Sequence, residues 1–287
     1  MSTLTPSQAA DLFRREPDRL LDVGAGEVAH RQVGSGPDVL FVHGWPVSGA
    51  TFRKLVPHLV DHVTCHLIDL PGSGSSRFGN DTTLTIAQHI RTFRRVVDLL
   101  DLDDVAVVGH DSGGLIARHA MVGDQRLRAM GLINTEQPNR SSWRFRLFLA
   151  ARHAPGLAAG LGWVAAQPRV RRNQFVLGGA FADRSLLDGE FDEFFLRPLH
   201  EIPERRAAAV RVLRSFDLHP PNPKCALRCA RSAHESAFFG CGTQAMASAI
   251  RSITVGDSDL GRETITRSTP TASIAATSER SSSSLPV

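Results

Sequence analysis

The chain has 287 residues, 42% of them apolar, and a net charge of +4 at neutral pH; that suffices for one core domain with an insertion and a buried core. The positive excess is scattered and carried by arginine, Lys54 and Lys224 being the only lysines, so nucleic acid is not implied as a partner. No apolar run approaches a membrane span and the N-terminus shows no signal-peptide pattern, which predicts a cytoplasmic protein without a membrane partner.

Residues 1–20 predict a short amphipathic lead-in helix. Leu20–Val23 and Glu27–Val33 predict a hairpin with Gly24-Ala25-Gly26 as its turn. Residues 24–29 also match G-x-G-x-x-A, but a dinucleotide site requires a helix to follow, and an alternating strand pattern follows instead. Val39–Val42 is a buried strand running into His43-Gly44-Trp45-Pro46. Thr51–Leu59 predicts a helix, and Val63–Leu70 the next strand. That strand ends in Pro71-Gly72-Ser73-Gly74-Ser75-Ser76, where no lysine follows to make a phosphate-binding loop. Leu84–Leu100 predicts an amphipathic helix with Ile86, Ile90, Phe93, Val97 and Leu100 on one face. Val105–Val108 and Ala129–Asn134 are further strands. The alternation predicts a mostly parallel sheet with helices on both faces. Sites in such sheets lie at the C-terminal strand ends, where His43, Asp111 and Glu136 fall.

The stretch between the last two strands organises the chain. Val105–Val108 ends at Gly109-His110-Asp111-Ser112-Gly113-Gly114, and Leu115-Ile116-Ala117 with Met121 continues at helical spacing. Only a sharp turn fits between strand and helix, which is the small-x-nucleophile-x-small elbow. Gly109 and Gly113 are the small residues, so the centre is Asp111. Were Ser112 the centre, the bulky His110 would occupy a position that needs a small side chain. A serine elbow performs acyl transfer. An aspartate elbow attacks a saturated carbon, expels a leaving group and forms an ester that water then cleaves. The structural alternative is an Asp111 that only caps the helix.

With these motifs the chain resembles the α/β-hydrolase superfamily, in its haloalkane dehalogenase and epoxide hydrolase branch, over residues 20–217. The resemblance implies an α/β fold, a mostly parallel sheet with a helical cap, acting on a small apolar organic substrate and water without cofactor or metal. It implies oxyanion donors at the backbone N–H groups of Trp45 and Ser112. The Trp45 indole would either aim its N–H at a leaving halide or pack under the cap. His43, with Gly44, would order its loop by hydrogen bonding. Glu136, just past the strand after the elbow, would be the triad acid; the alternative is a solvated loop glutamate. Ser112 stands where the family commonly has a halide-binding tryptophan, which weakens halide binding. The chain has no tyrosine, so the usual acid of epoxide opening is absent.

The division expected is a core over 1–138, a helical cap over 139–217 and an atypical tail over 218–287. The cap carries Trp143, Phe145, Phe148 and Trp163 among its apolar residues. The tail is rich in Ser, Thr and Arg, and its composition predicts disorder. Its strand candidate is Ile250–Val255, with Gly256-Asp257-Ser258-Asp259 faintly like an acid-bearing turn. Cys225, Cys229 and Cys241 fall there and, with Cys65, fit no zinc or disulfide pattern. No histidine follows His234, and the segment around His234 offers no strand to position it. A catalytically incomplete scaffold is therefore the alternative to an active hydrolase. We read the change of character as a reading-frame shift in a GC-rich gene; translating the other two frames beyond the Asp217 codon tests this.

Overall fold

The computed structural model describes residues 4–135, 143–181, 183–216, 234–239, 247–248, 250 and 266–267. Glu136 and residues 251–259 lie outside them.

Helix α1 (Pro6–Arg14) opens the chain, capped by Thr5 and Gln8 in a reciprocal capping box. Strands β1 (Arg19–Asp22) and β2 (Glu27–Gly34) form the expected hairpin. Then come β3 (Asp38–Val42), β4 (Thr64–Asp69), α2 (Ile86–Leu99), β5 (Val105–His110), α3 (Ser112–Met121) and β6 (Leu127–Ile133). Among the described residues the sheet has the order β1-β2-β4-β3-β5-β6, continued by β7 (His234–Phe239) and β8 (Thr266–Arg267). From β4 to β8 all neighbours are parallel; β2 lies antiparallel against β4.

Both sheet faces are buried, and the strand period divides each strand between two cores. Leu40, Val42, Val105, Val107, Met130 and Leu132 pack with α2 and α3. Val39, Phe41, Ala106, Val108, Ala129 and Ile133 pack on the other face with Leu12, Phe52, Val56 and Leu59.

Three expectations are corrected. Thr51–Leu59 is not one helix but two 3₁₀ turns, Gly49–Phe52 and Val56–His58. Pro57 has no N–H to give to the carbonyl four residues back, and its ring would crowd that carbonyl. The segment around His234, read as offering no strand, is one: β7 pairs with β6 from Ala129–His234 to Ile133–Phe238. His234 opens that strand, whereas the elbow follows His110, which pairs with Ile133 at the other end of β6. Ile250, read as the start of a strand, is helical and buried.

Residues 143–216 are mostly helical: α4 (Trp143–Ala150), α5 (Leu157–Ala166), α6 (Pro168–Arg171), α7 (Arg197–Glu201) and α8 (Pro203–Arg214), with a π-helical turn over Asp192–Leu196. Their apolar residues join the core through Ala208, Val212 and Leu213 and form a third cluster around Ala165, Leu187 and Leu199. Two ion pairs tie the π-helical region to the core. Arg14 meets Glu193 and Arg53 meets Glu190, each at 2.7 Å, and both guanidinium groups lie 5.3–5.4 Å from the Phe194 ring centre.

Candidate active site

Asp111 stands between β5 and α3 with φ 53° and ψ −129°. An L-residue adopts positive φ there only when its surroundings hold it. Three hydrogen bonds do so: Asp111 N–H to the Ile133 carbonyl (3.0 Å), and Gly114 N–H and the Thr135 hydroxyl to the Asp111 carbonyl (2.9 and 2.8 Å). The flanking glycines are required by close approach. A Cβ on Gly113 would stand 2.3 Å from the Val42 carbonyl oxygen, and one on Gly109 2.6 Å from the Gly114 Cα. A Cβ on Gly44 would fall 2.4 Å from the Asp111 carboxylate, so the loop after β3 can press against Asp111 only as glycine.

That approach brings Trp45 N–H to 2.9 Å from Asp111 Oδ2. Ser112 follows at the start of α3, where its N–H and hydroxyl favour the ionised form of the same carboxylate. One expected oxyanion donor, the Trp45 N–H, is therefore bonded to the nucleophile itself, and Ser112 stands next to it. Burial pushes the Asp111 pKa up to about 6, against the pull of those hydrogen bonds in the opposite direction.

His43 is buried and bonded through both ring nitrogens. Nδ1–H donates to the Gly44 carbonyl (2.8 Å), and Nε2 accepts from Leu70 N–H (2.9 Å) and lies 3.0 Å from the Ser73 hydroxyl. Burial also lowers its pKa, so the ring is a neutral brace between two loops. The second loop is anchored by Asp69, which pairs with buried Arg31 at 3.2 Å and accepts from Gly49 and Ser75 N–H at 2.8 Å. Gly74 is fixed by the same group, since a Cβ there would lie 2.2 Å from that carboxylate.

A cavity of about 170 Å³ opens beside these loops. Gly44, Trp45 and Ser112 line it on the elbow side, and Phe194, Phe195, Arg205, Ala209 and Val212 on the helical side. Asp111 adjoins it through Gly44, Trp45 and Ser112 rather than lining it.

The two readings of the Trp45 indole are separated by its partner. Nε1–H donates to the Ala209 carbonyl of α8 at 2.7 Å, and the ring packs 5.5 Å from that of Phe148. The N–H is therefore spent on the helical segment and not available to a halide. Glu136, the acid candidate, lies outside the described residues; its neighbour Thr135 bonds the elbow, as given above.

Sequence reasoning passed over His89. It lies on α2, is buried, and lines the cavity with Nδ1 unpartnered; burial lowers its pKa to about 4. The helical period showed α2 to be amphipathic, but not that its first turn meets the cavity. His110 packs edge-on to Phe52, with ring centres 6.4 Å apart, and burial likewise lowers it to about 4.

The family model for the alpha/beta hydrolase fold matches residues 37–186, more than half of the chain. The chain belongs to the α/β-hydrolase family. Pimeloyl-[acyl-carrier protein] methyl ester esterases are similar to it in sequence. That of Xanthomonas campestris pv. campestris is 37% identical over 102 residues, covering 35% of this chain and 38% of the relative. That of Stenotrophomonas maltophilia is 39% identical over 101 residues, covering 35% and 36%. The chain thus spans less than two fifths of the length of these relatives. In structure it is similar to an ancestral haloalkane dehalogenase (TM-score 0.58, 20% identity, covering 82% of this chain and 85% of the other). It is similar also to the epoxide hydrolase CorEH (0.58, 18%, 75% and 78%). A Bacillus anthracis bromoperoxidase is comparable (0.57, 18%, 77% and 80%). These structures share the fold.

Proposed function

We propose that the chain is a haloalkane dehalogenase-like hydrolase in which Asp111 attacks a saturated carbon of a small organic substrate. Asp111 Oδ1 forms a bond to that carbon, and the carbon–halogen bond breaks with its electron pair leaving as halide. The product is an ester whose carbonyl oxygen is Asp111 Oδ2. Water then attacks the Asp111 Cγ, and negative charge develops on Oδ2. The observation that carries this reading is the 2.9 Å hydrogen bond from Trp45 N–H to Oδ2. The Trp45 donor of the oxyanion site already holds the atom on which that charge appears, so it need not reorganise. In a serine elbow the same donors await an oxygen of the substrate.

Residues 143–216 act as the cap, closing the cavity against water with Phe194, Phe195 and α8. The second half-reaction requires a base near the ester. His43 has both nitrogens engaged, His234 opens its strand, and the neutral His89 is a weak base at about 4. Among the described residues none of these histidines is a strong base at the ester, so the ester is expected to form faster than it is cleaved. Epoxide opening is the less favoured variant, because the chain has no tyrosine to protonate the oxygen.

A second reading, acyl-ester hydrolysis by Ser112, is favoured by the names of the curated relatives. Intact-mass spectrometry with a reactive alkyl bromide separates the two. The first expects one stoichiometric adduct on Asp111, lost in Asp111→Asn and kept in Ser112→Ala. An adduct on Ser112, or none with any alkyl halide, refutes it.

A further inference from the structure

The cavity contains one strongly charged side chain, and that charge has no counter-ion. Among the described residues lining it there is no aspartate or glutamate, and Arg205 is its only arginine or lysine. His43 and His89 are held neutral by burial and add no charge. The Arg205 guanidinium is partly satisfied. Nη2–H donates to the Ser76 carbonyl at 3.0 Å, and the group lies 5.1 Å from the Phe78 ring centre. Nη1 is buried and has no hydrogen-bond partner. The nearest influence of opposite sign is Asp69, which acts only through space because Arg31 already pairs with it.

The cation is only half-buried, but its closed-off Nη1–H is unmatched, and no neighbour in this wall relieves that cost. A planar guanidinium with an unpartnered nitrogen matches a carboxylate in both charge and shape. Arg205 also borders an outer groove, but that groove contains Glu204, an acid the cavity lacks. Asp111 lies beyond the elbow side of the cavity, and Arg205 is on the wall made by α8 and the loop after β4. We infer that the cavity binds a substrate with a carboxylate end, held by Arg205 on α8, which turns its other end toward Asp111. The substrate class is thereby narrowed from an apolar molecule to a carboxylic acid bearing the leaving group on an apolar chain. This deepens the hydrolase reading above and rests on it for the orientation, though not for the binding.

The test is a comparison of two unreactive probes of the same shape, butanoate and butanamide, titrated calorimetrically into the full chain at pH 7.5. Wild type is expected to bind butanoate about ten-fold more tightly, the difference a charge-assisted pair makes. Arg205→Met is expected to erase that preference. Arg205→Lys is expected to keep part of it, since the ammonium retains charge but not the planar fork. Equal affinity of wild type for the two probes, or no measurable binding of butanoate, overturns the inference. So does a preference that survives in Arg205→Met. The wild-type comparison decides the matter even where a variant fails to fold. Binding requires no bond to Asp111, so this result is independent of the adduct experiment with an uncharged alkyl bromide.

Discussion

Asp111→Asn should make the protein more stable at neutral pH, although it removes the nucleophile. The replacement keeps the shape of the side chain and an oxygen for the Trp45 N–H. Both residues carry the same unusual backbone angles, so that strain cancels in the comparison. What differs is the charge. Burial raises the Asp111 pKa from 3.8 to about 6, which disfavours the ionised carboxylate in the folded state by about 3 kcal/mol. The sign follows from proton binding. Between pH 3.8 and about 6 the folded chain holds a proton on Asp111 that the unfolded chain has released, so wild-type stability falls as pH rises through that window. The full penalty is present above about pH 6 and absent below about pH 4. Urea unfolding of both proteins at pH 7.5 and pH 4 measures it, read at a common dependence on denaturant. The asparagine variant should be more stable than wild type by about 2–3 kcal/mol at pH 7.5, with the two curves converging at pH 4. A variant less stable than wild type at pH 7.5, or an offset that does not change with pH, would refute the argument from burial.

The same ionisation governs reactivity. Adduct formation on Asp111 should rise as pH increases through about 6 and then level off; a rate flat from pH 4 to 8 would exclude the carboxylate as nucleophile. Trp45→Phe keeps an aromatic ring but deletes the bond to Ala209. It should cost about 1–2 kcal/mol of stability and leave halide inhibition of adduct formation unchanged, whereas relief of that inhibition would restore the indole as a halide donor. The ester should outlast its formation, so that mass spectra taken over hours show the adduct with little release of product. Sustained turnover without an adduct would mean that His89 or His234 supplies the base after all.

Much of this site is written in short-range pattern. Gly109, Gly113 and the bulk of His110 determine the register of the elbow, because steric crowding at a sharp turn permits only one centre. The buried strands declare themselves as short β-branched runs bounded by turn residues. Features that depend on contacts between distant segments are not legible in this way. The partner of the Trp45 indole is a carbonyl on α8, more than 160 residues later, and no local pattern selects it over a halide. His89 sits on a helix whose period reveals an apolar face but not which turn reaches the cavity. Pro57 was a local signal, and it breaks the helix read across it. Strand β7 was hidden because it opens with the polar His234-Glu235-Ser236 and has no β-branched residue, and β6 supplies the pairing edge that a strand so short requires.

The helical segment is attached to the core in two chemically different ways. On one side Trp45 bonds a carbonyl of α8 at 2.7 Å, in a partly buried place. On the other, Arg14 and Arg53 hold Glu193 and Glu190, whose side chains remain about one-third exposed. Dissolved salt weakens the second attachment far more than the first. The wall carrying Arg205 and Ala209 is thus the fixed jaw of the cavity, and the wall carrying Phe194 and Phe195 is the compliant one. A molecule gripped between such jaws is located strictly at one end and loosely at the other. Tolerance of chain length and branching should accordingly widen with ionic strength, and more steeply than the demand for a carboxylate at the α8 end relaxes.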